Sequence, residues 1–356
     1  MAVTTEARTG TGPAGAPLRG RKLPMYAVPG LAVASVLVTL LLWATTGFAG
    51  KAGFLVFAVL LFGVLQTAVS FAVEGRRQAV NRLLTTLVII AFLLAATPLV
   101  LIVWYTIKEG IGALSGTFLT HSMFRIDPEQ PGGGIYHAIV GTLIQSALAT
   151  AIAAPLGVLA AIYLVEYGGG RRFARLVSFF VDVMTGVPSI VAGLFIYAFW
   201  ILALGFQKSG FAGSLALLIL MLPVIIRSSE EMLKLVPDPL REASYALGAT
   251  KSRVTLTVVL PAAIGGIVSG ALLAIARAAG ETAPLLFTIL TVTATNANVF
   301  SGANTALSTQ IFTNATQPYL GAQARAWGAA LTLIAIAFIL MIVARLVTAR
   351  FTRYSR

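Results

Sequence analysis

Residues 83–107 read "LLTTLVIIAFLLAATPLVLIVWYTI", an apolar run without one charged side chain. A helix of about 20 apolar residues crosses the ~30 Å hydrocarbon core of a bilayer. The whole sequence is 58% hydrophobic and only 10% charged, whereas soluble domains carry about 25% charged residues. Because alternating strand patterns are absent, helices rather than a barrel must satisfy the backbone in lipid. The run therefore predicts an all-α polytopic membrane protein.

Apolar segments elsewhere in the chain predict about eight transmembrane helices. These segments lie near residues 25–47, 53–73, 83–107, 136–165, 177–205, 211–227, 262–290 and 326–347. Residues 1–24 are rich in Gly, Pro and Thr without helical periodicity, which predicts a disordered tail. Residues 351–356 form a second short tail. The sequence has no cysteine, which excludes disulfides, iron–sulfur clusters and thiolate metal sites.

The distribution of lysine and arginine predicts the orientation in the membrane. With the N-terminus inside, the inner segments hold nineteen of the 25 basic residues and the outer segments hold five. Cytoplasmic loops carry the excess of Lys and Arg. We therefore expect a multi-pass membrane protein with both termini cytoplasmic. The one remaining basic residue, Arg277, lies deep in a predicted span.

Arg277 and Glu281 interrupt the apolar stretch "LLAIARAAGETAPLL", residues 272–286. A charge at the bilayer centre costs from about 2.5 to well over 10 kcal/mol, so such a residue is a candidate for function. Glu281 follows one helical turn later, within reach of a salt bridge. One interpretation is a self-neutralising pair packed inside the bundle. The other is an arginine that faces the path of a polyanion, since a guanidinium offers several donors and stays protonated.

Three features near the predicted inner interface have structural and functional interpretations. Arg227 ends the sixth predicted span, where positive-inside anchoring explains it and a place in the substrate path is the alternative; Glu230 or Glu231 could pair with it. Asp182 is close enough to the interface to be solvated, which favours a structural role. Residues 186–189 predict a helix interruption, either a packing kink or a place where backbone amides face an anion.

The loop 227–261 is long, polar and patterned. After Pro237-Asp238-Pro239, the spacing of Leu240, Ala243, Ala246 and Leu247 predicts a short amphipathic helix. Gly248 can end this helix and Thr250 or Ser252 can cap a second one, and Leu260-Pro261 opens the next span. The pair of helices could lie on the inner leaflet, or could dock in the groove of a cytoplasmic partner.

A resemblance favours docking. "EASYALGATKSRVTLTVVLP" (242–261) resembles the cytoplasmic EAA loop of permeases from importer-type ABC transporters. The matching residues are Glu242, Ala243, Gly248, Leu260 and Pro261, while Ser244 replaces the usual second alanine. Longer matching words identify the chain as a member of the PstA family, the permeases of bacterial phosphate importers: "GGGIYHAIVGTL" (132–143), "GVPSIVAGLFIY" (186–197), "LPVIIRSSEEMLKLVP" (222–237) and "AIARAAGETAPLLFT" (274–288).

The resemblance covers roughly residues 83–350 and implies a six-span permease core. Residues 25–82 would then be two extra N-terminal helices. In this family the arginine that matches Arg277 is associated with phosphate passage, so the candidate substrate-path residues are Arg277, Glu281 and Arg227. The candidate ATPase-docking residues are the six of the EAA-like loop, Ser244 included.

The resemblance also implies that the chain lies in the bacterial cytoplasmic (inner) membrane and has partners there. These are two copies of a PstB-like ATPase, a second, PstC-like permease and an extracytoplasmic PstS-like phosphate-binding protein, with membrane lipid around the spans and no nucleic acid. The sequence contains no GxxxxGK[ST] phosphate loop. We therefore expect this chain to bind no cofactor, with ATP and Mg on the partner ATPase, and to move phosphate by alternating access.

Two rival functions come from other classes. An ion-coupled secondary transporter of an organic anion usually has several ionisable residues in its spans and needs no docking loop. An intramembrane protease would need a histidine beside a serine, or two aspartates, within the spans. His121 and His137 lie in or beside the outer loop, without metal-binding spacing, and Asp182 is the one aspartate near a span. We therefore expect neither an enzyme nor a metal site.

Overall fold

The computed structural model describes residues 22–24, 26–46 and 50–353. Most of the predicted tail 1–24 lies outside these residues. The predicted tail 351–356 is wrong in its first half, because the last helix continues to Arg353. The described residues form helices that are joined by irregular connections. The α-helices are α1 (Ala27–Thr46), α2 (Lys51–Glu74), α3 (Arg76–Gly110), α4 (Gly116–Thr120), α5 (Tyr136–Ile162), α6 (Arg172–Thr185), α7 (Ser189–Ile196), α8 (Gly210–Lys234), α9 (Asp238–Ala246), α10 (Lys251–Val254), α11 (Leu260–Ala279), α12 (Ala283–Thr288), α13 (Leu307–Ala315) and α14 (Leu320–Arg353).

Three π-helical segments extend these helices. They cover Tyr163–Tyr167 after α5, Tyr197–Ala203 after α7, and Thr255–Val259 between α10 and α11. Such turns are rare in proteins as a whole, and those that occur often lie at functional sites. The last of them lies directly before Leu260-Pro261, where proline removes a backbone donor from the helix.

The number of membrane spans agrees with the prediction. Among the described residues, seven helices are long and apolar enough to cross a bilayer, and the bent pair α6–α7 makes an eighth span if it counts as one. The fold class, an all-α polytopic membrane protein, is thus confirmed. The predicted single span 177–205 is wrong in its form, because the chain bends by 107° between Thr185 and Ser189. The bend falls at the predicted interruption, where Pro188 disfavours a helical residue before it.

The chain divides into two compact units within α3, one up to Ile102 and one from Val103. In the first unit, α1 packs against α2, and their buried residues include the small hydroxyl side chains Ser35, Thr39 and Ser70. Gly75, at a φ of 87°, separates α2 from α3. The predicted inner loop 74–82 is therefore one glycine followed by helix, and Glu74 at the end of α2 pairs with Arg82 of α3 at 2.6 Å.

The second unit is built around α5, α8, α11 and α14. Its main apolar core joins Ala149 and Ala153 of α5 to Leu217, Met221 and Ile225 of α8, and continues into α11 and α12. Small residues permit this close packing. A Cβ at Gly157 of α5 would lie 2.7 Å from a methyl carbon of Ile225.

Gly266 and Gly270, which have the spacing of a GxxxG motif, also pack on a neighbour within this chain. Cβ atoms at Gly266 and Gly270 of α11 would collide with Met232 and Ser228 of α8. Small residues at such spacing let two helix backbones approach closely. The glycines therefore serve the packing of α11 on α8, which needs no second subunit.

Candidate functional site

Arg277, predicted to lie deep in a span, lies in the last turn of α11. The helical run that contains it begins at Lys251 and ends at Ala279, so the predicted continuous span 262–290 is wrong. Arg277 is about 39 Å from Lys251 at ~1.5 Å per residue. A cation at this end also interacts favourably with the helix dipole. Gly280 and Pro284, which flank the break, are the sequence signals that could have predicted it.

The Arg277–Glu281 pair exists but is loose. The Nε atom of Arg277 is 3.8 Å from Oε1 of Glu281, and the two side chains are 73% and 20% exposed on the surface of this chain. This distance satisfies an ion pair and exceeds that of a hydrogen bond. Within the described residues no hydrogen bond of the Arg277 side chain is present, so its donors are available to a ligand.

The backbone after Arg277 is irregular and held inside the second unit. Ser308 of α13 donates a 2.8 Å hydrogen bond to the carbonyl oxygen of Glu281. A Cβ at Gly193 of α7 would lie 2.5 Å from the Cα of Pro284, so α12 and α7 are in close contact. Non-helical backbone at membrane depth requires burial in protein or a water-filled cavity. The break beside Arg277 is therefore a supported feature of the fold.

A buried polar seam between α5 and the segment 296–310 was missed by the sequence analysis. Gln145 donates to Oδ1 of Asn304 at 2.6 Å, and Thr142 Oγ1 accepts from the Leu307 amide at 2.7 Å. Oε1 of Gln145 is buried without a hydrogen-bond partner. Isolated polar residues in an apolar sequence gave the only signal for this seam. It ties α5 to the chain that follows Glu281.

Arg227 lies within α8, because this helix continues to Lys234 and does not end at Arg227 as predicted. Its guanidinium donates to Glu230, and also to Asp182 and Ser178 of α6. Glu230 is thus the partner that the sequence suggested, and Asp182, whose side chain is 66% exposed, joins the same cluster. Arg227 fastens α6 to α8 with its donors engaged. The described contacts do not connect this cluster to Arg277.

The loop after α8 forms the two short helices that the sequence predicted, α9 and α10. Gly248 has a φ of 79°, the left-handed conformation that glycine adopts at low cost. None of the residues of α9 is buried, and Leu247 is 89% exposed. The apolar face of α9 is therefore not covered by the residues that the structure describes. Glu242 and Ala243 are exposed, whereas Ser244 is half-buried and donates to the Leu240 carbonyl oxygen at 2.9 Å.

Arg241, beside the EAA-like motif, is a functional candidate that the sequence analysis did not single out. Its guanidinium donates to Glu166 at 3.1 Å, with side-chain exposures of 13% and 4%. It also donates to the carbonyl oxygen of Leu233 at 2.9 Å and to that of Val236. The position of Glu166, 75 residues earlier at the end of α5, gives no local signal for this pairing.

The two histidines lie apart from these residues. His137 is buried and its Nε2 lies 3.4 Å from Oε1 of Gln310, while His121 is exposed beside Thr117 and Thr120. Among the described residues there is no group of three His, Asp or Glu side chains that could hold a metal ion.

The architecture defines a class: a multi-pass helical membrane protein with an exposed helical loop at one end and a loose arginine at a helix break. Comparison with known proteins agrees, since residues 153–353 match the family described as "Binding-protein-dependent transport system inner membrane component". The chain belongs to this family of inner-membrane transport components. This membership does not favour the ion-coupled carrier or the intramembrane protease as alternatives.

Three permeases of phosphate transport systems are similar to this chain over most of its length. The phosphate transport system permease protein PstA 1 of Mycobacterium tuberculosis H37Rv is 48% identical over 282 residues, which cover 79% of this chain and 91% of that protein. PstA of Mycobacterium leprae is 48% identical over 263 residues (74% and 86%). PstA of Yersinia pestis is 39% identical over 282 residues (78% and 92%). The predicted resemblance to the PstA permeases is confirmed.

Proposed function

We propose that this chain is the permease subunit of an ATP-driven phosphate importer and that Arg277 contacts phosphate during passage. The observation that carries the assignment of Arg277 is its exposed guanidinium, 73% accessible and 3.8 Å from its one carboxylate. A charge within a span does not face lipid without a large free-energy cost. We infer that Arg277, in the last turn of its span, faces a partner subunit or a water-filled path rather than lipid. Its planar donors match the geometry of phosphate oxygens.

Three other arginines of the second unit support this choice by contrast. Arg227 binds two carboxylates and Ser178, and Arg241 binds Glu166 and two carbonyl oxygens. Arg325, only 3% exposed, donates to carbonyl oxygens of Pro128, Gln130 and Gly132. These three side chains hold elements together. We propose that Arg227 fastens α6 to α8. Its role in the substrate path stays a prediction.

The energy and the substrate come from partners in this proposal. We propose, from the excess of lysine and arginine in the predicted inner segments, that both termini and the loop 227–261 lie in the cytoplasm, where the exposed face of α9 is accessible to an ATPase. Two PstB-like ATPases bind ATP and Mg and move this loop. A PstC-like permease completes the path, and a PstS-like protein delivers phosphate to the outer loops. In the empty state Glu281 is the ion-pair partner of Arg277. During alternating access phosphate replaces Glu281 as that partner.

The direct test is Arg277→Gln in the assembled importer. Loss of hydrogen bonds to a charged ligand costs about 1.5–3 kcal/mol, so we expect phosphate uptake to fall about 10- to 100-fold. The measurement is uptake of radiolabelled phosphate by cells that lack other phosphate transporters. Arg345→Gln is the matched control, because Arg345 is an exposed arginine of α14, and it should leave uptake unchanged.

Membrane assembly must be measured in parallel by co-purification of the other subunits. Normal uptake by an assembled Arg277→Gln importer would contradict the role of Arg277. A wild-type importer without phosphate uptake would contradict the proposed substrate itself.

A further inference from the structure

The loop that faces the ATPase is joined to the membrane bundle by a buried ion pair, Arg241–Glu166. The Nε and Nη2 atoms of Arg241 both donate to Oε1 of Glu166, at 3.2 and 3.1 Å. Glu166 lies in the π turn that extends α5, and its side chain is 4% exposed. Arg241 lies in α9, in which no residue is fully buried, and its side chain is 13% exposed. The pair therefore connects an exposed helix to the end of a transmembrane helix.

Arg241 also fixes the junction between α8 and α9. Nη2 donates to the carbonyl oxygen of Leu233, and Nη1 donates to that of Val236. Leu233 and Val236 are buried in an apolar cluster that includes Ala161 of α5 and Val254 of α10. One guanidinium thus holds the end of α5, the end of α8 and the start of α9 in a single arrangement.

α5 continues from this pair to the candidate substrate site. Thr142 lies 24 residues before Glu166, about 36 Å along a helix at ~1.5 Å per residue. There, Thr142 accepts from the Leu307 amide, and the next residue, Ser308, donates to the carbonyl oxygen of Glu281. An unbroken chain of contacts therefore runs from α9 through α5 to the helix break beside Arg277.

We propose that Glu166 and Arg241 are positioning residues that transmit the movement of the ATPase-facing helix α9, through α5, to the Arg277 segment. This inference rests on the proposed function and adds to it the element that couples ATP hydrolysis to the substrate site. A buried ion pair is weak evidence for stability, because desolvation offsets much of the attraction. The hydrogen bonds of the Arg241–Glu166 pair are directional, so the pair instead makes α9 and α5 move together.

The test uses the complete importer, with both ATPases, the second permease and the phosphate-binding protein, reconstituted in liposomes. It measures phosphate transported per ATP hydrolysed. We expect Glu166→Gln to lower this ratio about tenfold, within the usual range of coupling between two sites, while ATPase co-purification is unchanged. Asp238→Asn is the matched control, because Asp238 binds the same arginine at 3.0 Å but is 83% exposed, and it should change the ratio less than twofold.

Glu166→Asp provides a second variant if the glutamine variant does not fold, since it keeps the charge and shortens the side chain. We expect a ratio between those of the wild type and Glu166→Gln. An unchanged ratio in a folded variant, with only less complex recovered, would show a merely structural role and overturn the inference. A wild-type complex that hydrolyses ATP without moving phosphate would overturn the proposed function, and the inference with it.

Discussion

At the scale of single residues, the neighbours of an arginine show whether it holds helices together or can bind a ligand. The guanidinium of Arg241 is committed to Glu166 and to backbone carbonyls, whereas that of Arg277 has one carboxylate at 3.8 Å. Charge-assisted hydrogen bonds are among the strong ones in proteins. A ligand that offers such bonds can therefore displace Glu281 from Arg277 at little cost.

A double-mutant cycle tests this exchange. Glu281→Gln should lower the maximal rate of phosphate uptake about fivefold, less than Arg277→Gln, because Glu281 acts through Arg277. The double variant should then be no slower than Arg277→Gln alone, since residues that share one interaction are not additive. The measurement is the uptake rate in cells with equal amounts of importer. Glu281→Gln combined with Arg345→Gln should be additive, and additivity in the first pair would contradict the exchange.

At the scale of elements, the exposed face of α9 depends on the turn that follows it. Gly248 adopts a φ of 79°, and a residue with a Cβ pays about 1–2 kcal/mol for this conformation. A different residue there changes the angle between α9 and α10. The six candidate docking residues are distributed on both sides of this turn.

Gly248→Val should therefore weaken the capture of the ATPase. We expect recovery of the ATPase with the tagged permease to fall about 5- to 30-fold, which corresponds to 1–2 kcal/mol. The control is Gly112→Val, because a Cβ at Gly112 would have no heavy atom within 4 Å. Unchanged co-purification in Gly248→Val would count against docking through α9.

Helix existence was predictable, and helix ends were not. Uncharged runs such as 83–107 give the spans directly, because lipid demands apolar side chains. The interruptions at Thr185 and Ala279 depend on backbone geometry. Hydropathy does not reveal them, because the sequence stays apolar on both sides of each break. α12 and α13 are short and packed against neighbours, so that tertiary contacts stabilise them rather than local propensity.

The candidate site was predictable to the extent that its chemistry is local. Arg277 and Glu281 are four residues apart, and the EAA-like loop is one contiguous segment, so the sequence presents both. Glu166 and Arg241 are 75 residues apart, and Gln145 and Asn304 are 159 apart. Only the fold brings these pairs together, which is why the sequence analysis missed them.

At the scale of the whole molecule, the number of spans and the basic residues together predict the orientation. α1 and α2 are two spans, and their removal leaves the parity of the remaining spans unchanged. Deletion of residues 1–75 should therefore keep Arg76 and Arg77 inside and the C-terminus in the cytoplasm. A reporter fused to the C-terminus that is active only in the cytoplasm provides the measurement.

Deletion of residues 1–50 is the comparison, because it removes α1 alone. The inner basic segments can then stay inside only if the new N-terminus is outside. An inverted reporter after deletion of 1–75 would contradict the predicted topology of the core.

The opposite charges at the helix break also have an electrical consequence. Moving one elementary charge through the membrane field changes the free energy by about 2.3 kcal/mol per 100 mV. Arg277 and Glu281 sum to zero, so in the proposed cycle a movement of the pair as one unit displaces no net charge when the transporter is empty. The membrane voltage then acts on this site only when an anion occupies it, and the return of the empty permease proceeds without electrical work there.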